Sequence, residues 1–247
     1  MNPWTLFKRV FMTYWYWHVR QLNVLWPSIT LGGKTLVIFP TVYKPLENEQ
    51  SCVDYCREGD RVLDLGCGSG VGAVFAAGVA REVLAVDISP AAINNTKENC
   101  RLFGRENVTV AHSDMFSNVD GKFNLILANP PYIAADFAGN EEQFATSTRY
   151  LPILFAQVNN HLEKDGRLLV QYPGWFSGLI KKLAAAHGLE VVKIQRMPRK
   201  SLHLSLLSFA YMQLGFRSTL FLIIPRPVAK TFEARPDTEE AMPVMAA

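Results

Sequence analysis

Short apolar runs alternate with stretches of helical apolar spacing along most of the chain. The runs predict seven strands, at residues 61–65, 83–87, 108–112, 123–128, 167–172, 189–195 and 218–224. Apolar residues that recur every three to four positions predict the helices between them, at 71–80, 90–103, 150–163, 176–187 and 203–214. This alternation favours an α/β fold with a seven-stranded, mostly parallel, doubly wound sheet.

The first 44 residues do not follow this alternation. A glycine-free aromatic stretch predicts one or two helices, and a hairpin-like segment, LGGKTLVIFP, follows it. The last 22 residues read as a disordered tail. The sequence therefore predicts an N-terminal helical aromatic cap or lid (1–44), an α/β domain (45–225) and a tail (226–247).

Composition narrows the class of protein. The chain has 247 residues, of which 49% are hydrophobic and 19% charged. No apolar run reaches the roughly 18 to 20 residues of a membrane-spanning helix, and the N-terminus lacks the pattern of a secretory signal. We therefore expect a cytoplasmic protein without a membrane span. Four cysteines lack zinc-ligand spacing and are interpreted as packing residues, so no metal is expected: Cys52, Cys56, Cys67 and Cys100.

Charge is spread unevenly around the net value of +3. Residues 1–46 hold five bases and no acid, residues 191–232 hold seven bases and no acid, and residues 47–190 hold 12 bases and 18 acids. Four of the five tryptophans lie within the first 26 residues. Two basic segments, one of them aromatic, therefore flank an acidic middle. Composition alone leaves nucleic acid, a membrane surface or a small substrate open as partners of those segments.

The segment VLDLGCGSG (62–70) carries the clearest candidate chemistry. Asp64 ends a predicted strand, and three glycines then form a tight turn into a helix: Gly66, Gly68 and Gly70. Such glycines let a ligand approach the backbone closely, and ligands of open α/β sheets lie beyond the carboxyl ends of the strands. Asp87 ends the next strand, where a carboxylate can accept hydrogen bonds from both hydroxyls of a ribose. Asp114 follows the third strand and is placed to meet an adenine amino group.

With these motifs the chain resembles class I S-adenosylmethionine-dependent methyltransferases over residues 43–196. The resemblance implies a Rossmann-like fold, enzyme activity and S-adenosylmethionine as the cofactor. It assigns the methionine part to the backbone at Asp64–Gly66, the ribose to Asp87, and the adenine to Asp114 with Ile88 on its face. The cofactor-binding residues predicted in this way are Asp64, Gly66, Cys67, Gly68, Gly70, Asp87, Ile88, Asp114, Met115 and Asn129. A nicotinamide dinucleotide is disfavoured because Val71 replaces the last glycine of the GxGxxG pattern.

A second motif, Asn-Pro-Pro-Tyr, directly follows the fourth predicted strand. Two prolines lock an extended turn that presents the Asn129 side-chain oxygen and the Pro130 carbonyl as fixed acceptors for the two donors of an NH2 group. Tyr132 is expected to stack on a planar acceptor. The motif resembles that of methyltransferases acting on adenine N6 in DNA or RNA or on the glutamine of release factors. The resemblance implies Asn129, Pro130 and Tyr132 as catalytic positioning groups.

Further residues are candidates for contacts with the substrate. The segment TVYKPLENEQ (41–50) resembles the Pro-x-Glu segment of release-factor glutamine methyltransferases, which lines the opening of the cofactor site. It contributes Tyr43 and Glu47 to the predicted substrate and lid residues. Tyr172, after the fifth strand, is placed to line the pocket, although packing explains it equally well.

The aromatic N-terminus adds three candidates: Tyr14, Trp15 and Trp17. Four roles are open for it: packing against the sheet edge, a lid whose rings attract the sulfonium, stacking with unpaired bases, or a membrane-surface helix. The last role fits poorly, because three consecutive aromatic residues, Trp15–Trp17, cannot share one helix face.

Three hypotheses for function follow. The first is an N-methyltransferase acting on a small molecule or a planar amide or amine nitrogen. The second is a cyclase that turns S-adenosylmethionine into azetidine-2-carboxylate and methylthioadenosine, as in natural product biosynthesis. The third is a modifying enzyme of nucleic acid or of release-factor glutamine, or merely an RNA-binding protein. A small-molecule substrate is favoured, nucleic acid or protein is an alternative, and the sequence does not predict an oligomeric state.

Overall fold

The computed structural model describes residues 3–133, 146–197, 202–212 and 218–226. An N-terminal helix and a two-stranded hairpin come first: α1 (Pro3–Leu25), β1 (Ser28–Leu31) and β2 (Lys34–Val37). A 3-10 helix, Glu49–Tyr55, leads into the alternating part. The remaining elements are β3 (Arg61–Leu65), α2 (Val71–Ala76), β4 (Glu82–Asp87), α3 (Pro90–Leu102), β5 (Val108–His112), β6 (Phe123–Ala128), α4 (Tyr150–His161), β7 (Leu162–Pro173), α5 (Ser177–Ala186), β8 (Leu189–Arg196), α6 (Leu202–Met212) and β9 (Ser218–Pro225).

Seven strands form one sheet in the order β5-β4-β3-β6-β7-β9-β8. The first five of these strands are parallel to one another. Strand β9 runs antiparallel to both β7 and β8. The prediction of a Rossmann-like, mostly parallel seven-stranded sheet is confirmed. The chain order reverses between β3 and β6, which is where α/β sheets of this type open a crevice.

Alternate residues of the central strands face opposite sides of the sheet. Ile126 of β6 packs in one apolar cluster with Phe155 of α4 and Ile180 of α5. Its neighbour Leu125 packs in a second cluster with Ala73 of α2. Helices therefore cover both faces, as the doubly wound prediction requires.

Two predicted element bounds differ from the structure by four residues or more, and the others by at most two. Helix α2 ends at Ala76 rather than at residue 80, and Gly78, a weak helix former, lies in the turn that follows. Strand β7 begins at Leu162, five residues early. Phe123 pairs with Leu162 but Leu125 pairs with Arg167, so the predicted Asp165–Gly166 turn bulges out of the paired strands.

Helix α1 and the hairpin pack together on the domain through a third apolar cluster. Met12, Trp15 and Val19 of α1 are buried there with residues of β1, β2 and α2. Asn99 of α3 accepts a hydrogen bond from Val37 N at 2.8 Å, and this bond fixes the hairpin to the domain. The described residues contain one helix in the predicted cap. The division into cap and domain stays a prediction, and the expected tail, beyond Arg226, lies outside the described residues.

Candidate active site

A cavity of about 680 Å³ lies beyond the carboxyl ends of the central strands. Its lining comes from the ends of β3, β4 and β6, from the turn after β3 and from the start of α4. Ten predicted site residues line it: Asp64, Gly66, Cys67, Gly68, Asp87, Ile88, Asp114, Met115, Asn129 and Tyr43. Its volume falls within the usual range for small-molecule and cofactor sites.

Close packing dictates two glycines after β3, Gly70 at the end of the turn and Gly72 in the first turn of α2. Gly70 has a φ of +79°, and a Cβ there would lie 3.0 Å from the Cα of Thr96. A Cβ on Gly72 would lie 2.7 Å from Oδ2 of Asp64. Gly70 is not among the lining residues, so it shapes the turn rather than the cavity surface.

Asp64 is held at the end of β3 by the helix that follows. Its Oδ2 accepts a hydrogen bond from Ala73 N at 2.8 Å, and the residue is only 7% exposed. Burial raises the pKa of the Asp64 carboxyl from 3.8 to about 7, while the Ala73 bond opposes this shift. The carboxyl therefore lies close to its titration point at neutral pH.

Asp87 links the two neighbouring turns. Its Oδ2 accepts from Gly68 N and its Oδ1 from Ser89 N, both at 2.9 Å. Burial raises the pKa of this carboxyl. Each oxygen keeps a further lone pair, so Asp87 is oriented to accept from the hydroxyls of a ligand. Ile88 beside it is 42% exposed and lines the cavity.

Asp114 and Met115 lie at the rim of the same end. The Asp114 Oδ2 pairs with an Arg149 guanidinium nitrogen at 3.0 Å, and both side chains are largely solvent-exposed. Met115 has a φ of 52°, which places it in the left-handed region. Arg149 also lines the cavity, and the sequence analysis did not single it out.

Tyr150, the first residue of α4, closes over the glycine turn. Its hydroxyl donates to the Leu65 carbonyl at 2.5 Å. Its ring would lie 3.4 Å from a Cβ on Gly66. Tyr150 therefore borders the backbone that was assigned to the methionine part of the cofactor, although the sequence placed it only in a helix.

The Asn-Pro-Pro-Tyr turn brings its first and last side chains together. The Tyr132 hydroxyl donates to Asn129 Oδ1 at 2.6 Å. The Tyr132 ring packs edge-on against Tyr172, with centroids 5.6 Å apart. Asn129 lines the cavity, whereas Pro130, Tyr132 and Tyr172 are not among the lining residues. Tyr132 therefore holds Asn129, and the structure does not place it as a stacking surface in the cavity.

The two acids of the 41–50 segment have different surroundings. Glu47 is 1% exposed and does not line the cavity, because its carboxylate accepts from Ser208 Oγ and Ser218 N, both at 3.2 Å. Glu49 does line it and accepts from Glu47 N at 2.8 Å and the Tyr43 hydroxyl at 3.3 Å. Burial and the neighbouring Glu47 raise the pKa of Glu49 to about 8. The lining role expected of Glu47 thus falls to Glu49.

The N-terminal aromatic residues do not line the cavity. Trp15 is 3% exposed and donates from Nε1 to the Tyr211 carbonyl at 2.9 Å. Tyr14 and Trp17 are exposed. Helix α1 instead reaches the cavity rim through a 2.8 Å hydrogen bond between Tyr16 and Thr146, a lining residue. Tyr14, Trp15 and Trp17, which the sequence predicts as lid residues, are not among the residues that line the cavity.

Comparisons with known proteins agree with the fold. Residues 51–173 match the family model of the methyltransferase small domain. A protein from Methanocaldococcus jannaschii, provisionally named a protein N5-glutamine methyltransferase, is 37% identical over 110 residues, which are 42% of this chain and 54% of the relative. The ribosomal protein L11 methyltransferase of Thermosipho africanus is 50% identical over 78 residues, 30% of this chain and 29% of the relative.

Solved structures show the same fold. Methanocaldococcus jannaschii Trm5 in complex with adenosine superposes with a TM-score of 0.60 at 18% identity, covering 81% of this chain and 56% of that one. The ribosomal protein L11 methylase of Lactobacillus delbrueckii gives 0.56 at 22% identity, covering 75% and 82%.

The fold and the matched segment, residues 51–173, are those of methyltransferase domains of the class that uses S-adenosylmethionine. The predictions of fold, of a transferase-type enzyme domain and of its cofactor are confirmed at that level. The chain spans only about half the length, or less, of the curated relatives it matches. Their names refer to protein substrates and lend no support to a small-molecule acceptor. Among the described residues, no helix is long and apolar enough to cross a membrane.

Proposed function

We propose that this chain is an S-adenosylmethionine-dependent N-methyltransferase that acts on the nitrogen of a planar amide. The observation that carries the proposal is the placement of Asn129. Its side chain lines the cavity at the end of β6, and Tyr132 fixes its amide oxygen. An amide oxygen has two lone pairs, so Asn129 Oδ1 can accept a second bond from an NH2 group in the cavity.

The surroundings of the cavity fit the cofactor. Asp87 offers an oriented carboxylate for a ribose, and Ile88 offers an exposed apolar surface for a flat ring. Asp114 and Met115 would hold the adenine, and the backbone at Asp64–Gly66 the methionine part. The bound cofactor supplies an electrophilic methyl group on a sulfonium.

The acceptor is positioned rather than activated. Asn129 Oδ1 and the Pro130 carbonyl would accept the two hydrogens of an NH2 group, which turns the nitrogen lone pair toward the methyl group. Methyl transfer is an in-line displacement from a good leaving group, so orientation supplies much of the rate. Tyr132 acts through Asn129 and is therefore a positioning residue.

The similarity to a protein glutamine methyltransferase supports an amide acceptor. A glutamine side chain presents a planar NH2 group with two donors, as the pair of acceptors at Asn129 and Pro130 requires. A protein glutamine is therefore the acceptor class to test first, ahead of adenine N6 and of small molecules.

The test measures S-adenosylhomocysteine and methylthioadenosine by mass spectrometry. The chain is incubated with S-adenosylmethionine alone, with a glutamine-containing peptide, and with the same peptide carrying glutamate instead. We expect S-adenosylhomocysteine only with the glutamine peptide. Methylthioadenosine from the cofactor alone would indicate the cyclase instead, and turnover on an adenine oligonucleotide but not on the peptide would indicate a nucleic-acid enzyme.

Variants connect the activity to the site. Asn129→Ala is expected to lower kcat about 100-fold, while cofactor affinity measured by calorimetry changes much less. Asn118→Ala, an exposed asparagine outside the cavity lining, is the matched control and should retain activity. Unchanged kcat in Asn129→Ala would contradict the proposal.

A further inference from the structure

Helix α1 exposes an apolar stripe to solvent. The exposed α1 face consists of Leu6, Val10, Tyr14, Trp17 and Val24, which are between 47% and 60% exposed. At 100° per residue these five side chains fall within about 80° of the helix circumference. Their span of 18 residues corresponds to about 27 Å of helix. Gln21, also exposed, is a polar residue within this sector. Single exposed apolar residues are ordinary, but five that share one sector of a helix mark an interaction surface.

The helix packed against α1 has a similar apolar surface. Trp15 and His18 of α1 contact the backbone carbonyls of Tyr211 and Ala210 in α6. On α6, three apolar residues at helical spacing are at least 63% exposed: Leu202, Leu206 and Phe209. Both helices therefore have one apolar face in the protein and another in solvent.

Every charged side chain within α1 and α6 is basic. Neither α1 nor α6 contains an aspartate or a glutamate. Arg9 and Arg20 are exposed, and helical geometry places both along one margin of the exposed α1 face. An apolar aromatic stripe with a basic margin is typical of helices that lie in the surface of an anionic membrane.

We propose that the exposed α1 face, with the apolar face of α6, docks on the surface of a lipid bilayer that carries anionic headgroups. A second copy fits less well, because pairing two such faces brings like-charged arginines together. Nucleic acid also fits less well, because Arg9 and Arg20 are too sparse to follow a phosphate backbone. Tyrosine and tryptophan are suited to the boundary between headgroups and acyl chains.

The structure resolves the objection that three consecutive aromatic residues cannot share one face. Trp15 points into the protein, Tyr16 bonds Thr146 at the cavity rim, and Trp17 faces solvent. Of these three residues, only Trp17 belongs to the exposed α1 face. The same helix therefore contacts the bilayer and the cavity rim, although the docking does not depend on the function proposed above.

Vesicle co-sedimentation of the full chain tests the proposal. We expect binding to vesicles of equal parts phosphatidylcholine and phosphatidylglycerol, weaker binding to phosphatidylcholine alone, and a loss of affinity with added salt. Absence of binding to the anionic vesicles, or equal binding to both kinds at every salt concentration, would overturn it. Self-association lost on mutation of this face, without vesicle binding, would assign the face to a second copy and overturn it too.

A matched pair of variants locates the binding. Val10→Asp with Val24→Asp places two charges on the exposed α1 face and is expected to lower vesicle affinity at least about tenfold. Val79→Asp with Val192→Asp makes the same change at two exposed valines elsewhere and should bind like the unmodified chain. If the first pair fails to fold, Arg9→Gln with Arg20→Gln should still reduce binding to anionic vesicles and leave binding to neutral ones unchanged. Equal binding by all variants would contradict the proposed surface.

Discussion

The two ends of the cavity are built in different ways. At the cofactor end, formed by the turns after β3 and β4, backbone N–H groups orient the carboxylates: Ala73 donates to Asp64, and Gly68 and Ser89 donate to Asp87. These partners lie 2 to 19 residues apart in the chain. One βα unit and the strand after it thus orient the two carboxylates locally, whereas Tyr150 reaches the Leu65 carbonyl from 85 residues further along the chain.

Contacts distant in sequence dominate the acceptor end, which comprises the 41–50 segment, Asn129 and the rim at Thr146. Glu47 bonds Ser218, 171 residues further along the chain, and Tyr16 bonds Thr146, 130 residues away. Side chains rather than backbone turns make most of these bonds. A short motif therefore orients the carboxylates of the cofactor end. At the acceptor end, the bond between Tyr132 and Asn129 is also local, but the surroundings of Glu47 and the rim at Thr146 depend on packing between distant parts of the chain.

The largest expected effect concerns the buried carboxyl at the cofactor end. Burial raises the pKa of Asp64 from 3.8 to about 7, so the folded chain retains a proton that the unfolded chain has released. The contribution of Asp64 to the free energy of unfolding therefore falls as pH rises from 3.8 to about 7, and it levels off above that range. Three pKa units correspond to about 4 kcal/mol.

Urea unfolding at several pH values across that window, without ligand, checks this prediction. Asp64→Asn should make the decline shallower, with the remainder due to the raised pKa values of Glu49 and Asp87, whereas Asp120→Asn, at an exposed site, should keep the full decline. Equal slopes in the Asp64→Asn and unmodified chains would show that the Asp64 carboxyl is not buried in the folded protein.

Asp87→Ala is expected to have the next largest effect, on cofactor affinity. The change removes a charged acceptor that two backbone N–H groups hold in place, and charge-assisted bonds contribute about 1.5 to 3 kcal/mol each. Calorimetry should show a loss of S-adenosylmethionine affinity of about 100-fold, with Asp120→Ala as a control that binds normally. An affinity within a few-fold of the unmodified chain would place the ribose elsewhere.

The same comparison explains what sequence reasoning could predict. Strand alternation, helical spacing and the glycine turn are local patterns, and they predicted all seven strands of the sheet and placed Asp64 and Asp87 beside the cavity. Gly72 lies two residues beyond that motif, and only the packing against Asp64 shows why it must be glycine.

At the acceptor end, motifs placed Asn129 and Tyr43 beside the cavity, but the two glutamates could not be placed in the same way. Asn48 has a left-handed φ of 59°, so the backbone turns between Glu47 and Glu49. The sequence pattern therefore could not show which of the two glutamates faces the cavity. At the cofactor end, Arg149 and Tyr150 likewise reach Asp114 and the Leu65 carbonyl from the start of α4, which no motif marks. Their contacts depend on tertiary packing.

Glu47→Gln tests whether the acceptor end is a long-range scaffold. The glutamine amide has one oxygen in place of the two carboxylate oxygens, so one of the two buried donors, Ser208 Oγ or Ser218 N, loses its acceptor. This loss is expected to lower the free energy of unfolding by about 1 to 3 kcal/mol. Thermal unfolding should show a lower Tm, with cofactor affinity retained. Glu163→Gln, at an exposed position, should leave Tm unchanged. A variant that loses cofactor affinity at unchanged Tm would mean that Glu47 serves the cofactor end.

Tyr132→Phe is expected to have the smallest effect and gives the sharpest test of the acceptor end. The variant keeps the ring against Tyr172 but removes the hydroxyl that holds Asn129 Oδ1, and a hydrogen bond of this kind contributes about 0.5 to 1.5 kcal/mol. We expect kcat to fall about threefold to tenfold while cofactor affinity stays the same, because the variant loses the bond that orients Asn129 and leaves the carboxylates of the cofactor end in place. Tyr172→Phe, in the same aromatic pair, should keep its kcat. If Tyr132→Phe instead raised KM for the acceptor at constant kcat, Tyr132 would contact the acceptor directly, and the stacking role predicted from the sequence would be restored.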